Sequence, residues 1–148
     1  MEQADLELAK ARSYIYSIDF SNIIHKMVKH QGWLYKDAQK TCQLYRNYLF
    51  LKRKYGSKHA LPPSKDIDEF WHLHILDTKS YRQDCVAIFG EYLDHYPYFG
   101  IDKTSNFDDL NQAFSKMQEL HEHEFGEKIY QSRSLISKLL FFFHLIRN

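Results

Sequence analysis

The sequence has little cysteine, proline or glycine. Its 148 residues include 2 Cys, 3 Pro and 5 Gly. Two cysteines are too few for a disulfide framework, so we expect a chain of a reducing compartment, the cytoplasm. The scarcity of turn residues argues against an all-β fold, and no segment shows the alternation of a half-buried strand. The length fits one domain with its own core.

The chain also lacks an excess of charge of one sign and any apolar run of the roughly 20 residues that span a bilayer. The acidic start, residues 1–5, lacks the apolar segment of a signal peptide, so we expect no such leader. The net charge of +1 hides a pattern: +6 in residues 1–60, −9 in residues 61–127 and +4 in residues 128–148. We expect the basic flanks to pack on the acidic middle. Without one clustered basic face, nucleic-acid binding is not expected.

Apolar residues recur at helical spacing along most of the chain. The patterns predict an all-α fold, a single compact domain over residues 1–148 with five to seven helices. A buried helix at about 64–76 is expected at its centre, and an aromatic C-terminal helix within 128–148. That last helix is interpreted as core, with a surface for a partner or a membrane as the alternative. The expected helices cover residues 2–16, 21–30, 34–55, 64–76, 78–89, 106–125 and 135–146.

Capping residues mark several of these boundaries. Ser64 is expected to cap the central helix, with carboxylates in its first turn. Asp77 or Thr78 is expected to cap the next helix and Gly90 to end it. Ser105 or Asn106 is expected to begin the helix that Gly126 interrupts, and Asp19 or Ser21 to cap the second helix.

The densest chemistry lies in residues 66–77, DIDEFWHLHILD, which hold two histidines, four acids and a tryptophan. Residues two apart on a helix point about 200° apart. His72 and His74 therefore face different ways: His72 shares a face with Asp68 one turn earlier, and His74 shares an apolar stripe with Trp71. Residues of these types can form a metal site or an acid/base site.

The following segments add a thiol and a further imidazole. Cys85 lies on the apolar stripe of the next helix, and His95 follows Gly90 closely enough to fold back toward the same place. We predict a mixed ligand set for zinc or iron at this point. Its residues are Asp68, His72, Cys85 and His95, within a wider functional cluster that also includes His74 and Asp84.

Two alternatives stand beside the metal site. A buried cysteine usually behaves as a small apolar residue, and this is the favoured interpretation of Cys85 taken singly. A histidine on an apolar stripe is usually hydrogen-bonded, and this is the favoured interpretation of His74. Cys85 could also be a nucleophile, with His72 or His74 as base and an aspartate, Asp68 or Asp84, orienting it. Such a thiol needs an exposed, electropositive setting, so this alternative is less favoured.

A second H-x-H pattern occurs at His121 and His123. His121 shares a stripe with Leu110, Phe114 and Met117, so a core position is predicted, with reach toward the central site as the alternative. His123 is predicted to face solvent.

The runs LPPSKDIDEFWHLHILDTKSYRQDC (61–85), Ile88-Phe-Gly90 and His95-Tyr-Pro-Tyr-Phe-Gly100 resemble the glycine-rich domain-containing protein-like family, over roughly residues 20–127. Gly32-Trp33 and Glu124-Phe-Gly126 resemble its short bacterial members, which implies a bacterial source. Plant members append glycine-rich and sometimes RNA-binding segments that this chain lacks, so RNA binding does not carry over. The resemblance implies no defined activity. The positions that it carries over are Asp68, Trp71, His72, His74, Tyr81, Asp84 and Cys85.

The sequence therefore favours a helical domain with a metal or acid/base site around the D-x-x-W-H-x-H…D-C motif, and leaves open whether it is an enzyme. The alternative is a non-catalytic module that binds a protein partner, for example a secreted bacterial effector. That module would use the C-terminal aromatic helix or the acidic middle.

Overall fold

A computed structural model describes residues 2–129. Within this range all regular structure is helical, which confirms the predicted all-α class. The predicted helix within 128–148 lies outside the described residues. Residues 2–129 form six helices, which are α1 (Glu2–Ser17), α2 (Ser21–Gln31), α3 (Tyr35–Tyr55), α4 (Lys65–Leu76), α5 (Thr78–Phe89) and α6 (Phe107–Phe125).

Local sequence sets most helix ends as predicted. The Ser64 hydroxyl accepts a hydrogen bond from the backbone N–H of Ile67 and caps α4. Asp77 caps α5 in the same way, and Asn106 forms a capping box with Asp109 at the start of α6. Gly90 and Gly126 follow α5 and α6 in left-handed conformations that suit glycine.

The start of α2 differs from the prediction. Phe20, not Asp19 or Ser21, occupies the N-cap position, and its side chain makes no capping hydrogen bond. The Asp19 carboxylate instead accepts a hydrogen bond from the Ser21 backbone N–H at 2.9 Å. Phe20 is buried in the core, and its packing rather than a polar cap fixes this helix start.

α3 and α4 form the centre of the bundle. α3 packs against α1, α2, α4 and α6, and α4 packs against α2, α3 and α5. Ile67, Phe70 and Trp71 of α4 are buried, whereas His72 and Leu76 on its other side are exposed. α4 therefore places one face in the core and presents the other at the surface, where a site can form.

Ion pairs join the basic first part of the chain to the acidic middle. Lys40 pairs with Glu127 at 3.0 Å, and Lys54 pairs with Glu124. Both pairs connect α3 to α6 or to the residues just after it. These contacts agree with the expected packing of the basic flank on the acidic segment.

No helix within residues 2–129 is long and apolar enough to cross a membrane. Residues 90–106, between α5 and α6, contain no helix of their own. They carry exposed Tyr92, Tyr96, Tyr98 and Ile101. The single-domain boundary, the cytoplasmic location and a protein partner stay predictions.

Candidate functional site

A cleft of about 530 Å³ lies between α3, α4 and the segment after α5. The C-terminal half of α3 forms one wall, and the extended residues 61–63 form the rim. Residues 94–99 close the opposite side. Aromatic, proline and aliphatic side chains dominate the lining, and its polar groups include Lys52, Asp68, His72 and His95.

Asp68, His72 and His95 meet at this cleft. The Nε2 atoms of the two histidines lie 3.1 Å apart. The Asp68 carboxylate lies 2.6 Å from Nε2 of His95 and 3.4 Å from Nε2 of His72. The helical spacing of four residues brings His72 beside Asp68. His95 arrives from the segment after Gly90, the folding back that the sequence suggested.

A chain of buried contacts holds the backbone near His95. The Trp71 ring packs on the His95 ring, with centroids 4.3 Å apart. Trp71 Nε1 donates to the Tyr81 hydroxyl at 2.9 Å, and Tyr81 donates to the Leu93 carbonyl at 2.6 Å. Burial raises the pKa of Tyr81, so its hydroxyl keeps the proton that it donates. α4 and α5 thus fix Leu93, two residues before His95.

His74 belongs to a separate network in the core, which reaches the surface at Tyr14. Its Nδ1 lies 2.8 Å from the Tyr45 hydroxyl, and its Nε2 lies 2.8 Å from the Asp84 carboxylate. The other Asp84 oxygen accepts a hydrogen bond from Tyr14 at 2.7 Å. Burial raises the pKa of Tyr45 well above its usual range, which favours Tyr45 as the donor to Nδ1. Nε2–H of His74 then donates to Asp84, and every group is satisfied.

The structure therefore divides the predicted cluster into two parts. Asp68, His72 and His95 share the cleft, whereas His74 and Asp84 pair in the core, 2% and 7% exposed. Different faces for His72 and His74 were predicted from helix geometry, and the structure confirms them.

Cys85 is not brought into the group of three. It is 2% exposed and lies beside Tyr81 and the backbone of Leu93, so the predicted four-residue ligand set is not assembled. Its stripe faces the core, while the ligand atoms of Asp68 and His72 face the cleft. Burial also raises the pKa of the Cys85 thiol, and nearby Asp84 raises it further. Neither condition suits a nucleophilic thiolate.

His121 is also a core residue. Its Nδ1–H donates to the Glu127 carbonyl at 2.5 Å, and its Nε2 accepts from the Asn47 amide at 3.0 Å. It lies outside the cleft group among the described residues, and His123 is exposed. The favoured interpretations of both histidines agree with the structure.

We expect His121 to make the fold sensitive to mild acid. Burial lowers its pKa in the folded state below the usual 6.5 or so, so the unfolded chain takes up its proton first. The contribution of His121 to stability is complete above about pH 6.5 and is lost as the pH falls toward the folded pKa, by at most about 1.4 kcal/mol per pH unit. Urea unfolding at pH 7.5 and 5.5 measures this loss.

His121→Gln should show a smaller difference between the two pH values than the wild-type protein. The exposed neighbour provides the control, since His123→Gln should keep the wild-type difference. Equal pH dependence in all three proteins would contradict the role of His121.

Sequence reasoning from chemistry missed the partners of the buried pair. Tyr45 lies on the apolar stripe of α3, and Tyr14 is 70 residues from Asp84 in the chain. An aromatic residue on a buried stripe indicates packing, so nothing in the pattern marks its hydroxyl as a partner of a histidine. Only the family resemblance singled out Trp71 and Tyr81 as positions of functional interest.

These features define a helical domain in which two histidines and an aspartate meet at an apolar cleft. A family model described as UCP032817-like matches residues 10–145, and the chain belongs to this family. The match confirms the resemblance and extends beyond residues 20–127. The chain is also 28% identical over 104 residues to glycine-rich domain-containing protein 1 of Arabidopsis thaliana. That alignment covers 66% of this chain and 12% of the plant protein. No solved structure matches.

Proposed function

We propose that this protein binds a divalent transition metal, zinc or iron, through Asp68, His72 and His95. The observation that supports the proposal is the convergence of three donor groups, whose ligand atoms all lie within 4.8 Å of one another. Zinc binds imidazole nitrogen and carboxylate oxygen at about 2.0–2.2 Å. Tetrahedral ligands at that distance are roughly 3.3 Å apart. The separations of 3.1 Å between the two Nε2 atoms and 3.4 Å from His72 Nε2 to one Asp68 oxygen are close to this value. The 2.6 Å from His95 Nε2 to the other Asp68 oxygen is shorter, as in a hydrogen bond.

Hydrogen bonding alone explains the arrangement less well. Nε2 of His95 is close to both Asp68 and Nε2 of His72. A ring nitrogen either carries one hydrogen or offers one lone pair, so it cannot serve two partners equally. A cation between the three groups lets each nitrogen offer its lone pair, which removes the conflict.

The ligand set leaves room for a reacting molecule. Two histidines and one carboxylate with open positions are typical of catalytic zinc sites and of non-haem iron centres. Such an ion supplies Lewis acidity and an activated water. The residues of this chain hold the site at a cleft of suitable size for a small molecule. Trp71 shields His95 on one side, and His72 stays exposed toward solvent.

The proposal is tested by metal content and by titration with Co²⁺, whose absorption spectrum reports ligand number. We expect about one equivalent of bound metal per chain in wild-type protein and a four- or five-coordinate cobalt spectrum. Asp68→Ala should lose both signals. His123→Ala, which removes an exposed histidine away from the cleft, should keep them.

Metal binding that is weak and equal in wild-type and Asp68→Ala protein would refute the site. Zinc and iron are distinguished by elemental analysis of protein purified without added metal.

A further inference from the structure

Lys52 is a cation that faces the same cleft. It lies one helical turn after Tyr48 on α3, and both side chains line the cavity. The ammonium group of Lys52 makes no hydrogen bond or ion pair with any residue from 2 to 129. Two other lysines of α3, Lys40 and Lys54, do have acidic partners.

The surroundings of Lys52 make an unpaired ammonium charge energetically unfavourable. The side chain is partly buried, and this burial lowers its pKa. A partly desolvated ammonium group gains more from an anionic partner than an exposed one does. Within the described part of the chain, no carboxylate provides that partner.

Apolar side chains form much of the rest of the cleft lining. Leu61, Pro62 and Pro63 form the rim, and Phe99 and Leu110 line the cleft as well. Apolar side chains with a phenylalanine ring among them favour an apolar group, such as an aromatic ring, over a hydrated one. The cleft thus combines an unpaired cation with apolar walls.

We infer that the cleft binds a small aromatic or otherwise flat carboxylic acid, with its carboxylate on Lys52 and its apolar body between the proline rim and Phe99. The inference rests on the proposed function in taking the cleft beside the metal as the ligand site. Asp68 and Asp94 also line the cleft and repel an anion. A bound metal offsets the charge of Asp68, so metal loading should strengthen binding of the acid.

The test uses phenylacetate and its neutral counterpart phenylacetamide, titrated calorimetrically into zinc-loaded and chelator-treated protein. We expect zinc-loaded wild-type protein to bind phenylacetate at least about tenfold more tightly than phenylacetamide, as one charge-assisted hydrogen bond provides. Lys52→Met should remove this preference, and Lys52→Arg should retain it. The control is Lys65→Met, which removes an exposed lysine of the same cleft and should keep the preference.

The inference is overturned if zinc-loaded wild-type protein shows no preference for the acid, or if Lys52→Met keeps the preference. It is also overturned if the preference depends on Lys65 instead. Circular dichroism of each variant establishes that it is folded, and Lys52→Arg guards against a misfolded Lys52→Met protein. If zinc does not bind but the Lys52-dependent preference persists, the metal site fails and the anion site stands. If zinc binds and the preference is absent, the anion site fails and the metal site stands.

Discussion

Replacing Asp84 with alanine is expected to lower the free energy of unfolding by about 1–3 kcal/mol, the usual cost of leaving a buried hydrogen-bond donor without its acceptor. Asp84 accepts hydrogen bonds from His74 and Tyr14, and it is 7% exposed. Alanine leaves the Nε2–H of His74 without an acceptor in the core. Because small domains are stable by only about 5–15 kcal/mol, this change removes a large part of the total.

Asp84→Asn should cost much less than Asp84→Ala. The amide oxygen can accept from His74, and the amide nitrogen can donate to the Tyr14 hydroxyl, which is also an acceptor. Urea unfolding followed by circular dichroism gives all three free energies. Gln83→Ala, an exposed neighbour on α5, should change stability by no more than about 0.5 kcal/mol.

A double-mutant cycle with His74→Ala tests whether the pair acts as a unit. Once His74 is absent, Asp84→Ala should cost clearly less than in the wild-type protein, because the group left unsatisfied has already been removed. Additive effects of the two changes would show that His74 and Asp84 contribute independently, contrary to the network described above.

The second large effect is expected on metal affinity. His95→Ala should weaken zinc binding by more than about a hundredfold, since it removes one of three protein ligands, whereas supporting groups around ligands contribute roughly 10–100-fold. His95 lies outside the helices but packs on Trp71 of α4, so circular dichroism of the variant first establishes that it is folded. Competition with a chromogenic chelator measures the affinity.

Tyr81→Phe should weaken zinc binding by about tenfold although Tyr81 does not touch the metal ligands. Its hydroxyl joins Trp71 to the Leu93 carbonyl and so positions the backbone that leads to His95. The affinity is measured well below the unfolding temperature, so that lost stability does not enter. The control is Tyr98→Phe, which changes an exposed tyrosine of the segment that carries His95. This variant should bind zinc as the wild-type protein does. Wild-type affinity in Tyr81→Phe would show that other contacts position His95.

Much of the fold followed from local chemistry. Caps at three helix starts were predicted as Ser64, as Asp77 or Thr78, and as Ser105 or Asn106, because such side chains satisfy N–H groups that the helix leaves free. The structure places Ser64, Asp77 and Asn106 there. Gly90 and Gly126 were predicted at helix ends because glycine adopts the left-handed conformation at little cost. These are effects of neighbouring residues, so a sequence carries them directly. Phe20 at the start of α2 shows the limit, since its position depends on burial against other helices.

The candidate site followed from sequence only where helix geometry governs it. The rotation of 100° per residue separated His72 from His74 and joined His72 to Asp68. His95 was included only because it follows Gly90 closely enough in the chain to fold back. Its position in the structure depends on the hydrogen bond from Tyr81 to the Leu93 carbonyl. Cys85 was included because it lies on the apolar stripe of α5, which faces inward. The stripe alone does not show whether the Cys85 side chain lies in the core or at the cleft. The crossing of α4 and α5 decides between them.

By itself, the sequence determined the six helices that the structure describes, most of their ends and the two faces of α4, because these depend on residues within one or two turns. Only the tertiary structure decided which acids meet His74 and His95. The pairing of His74 with Asp84, the return of His95 to Asp68 and the exposure of Lys52 to the same cleft all join separate elements. Such contacts depend on how helices cross and how a loop is held, and these are set by packing throughout the core.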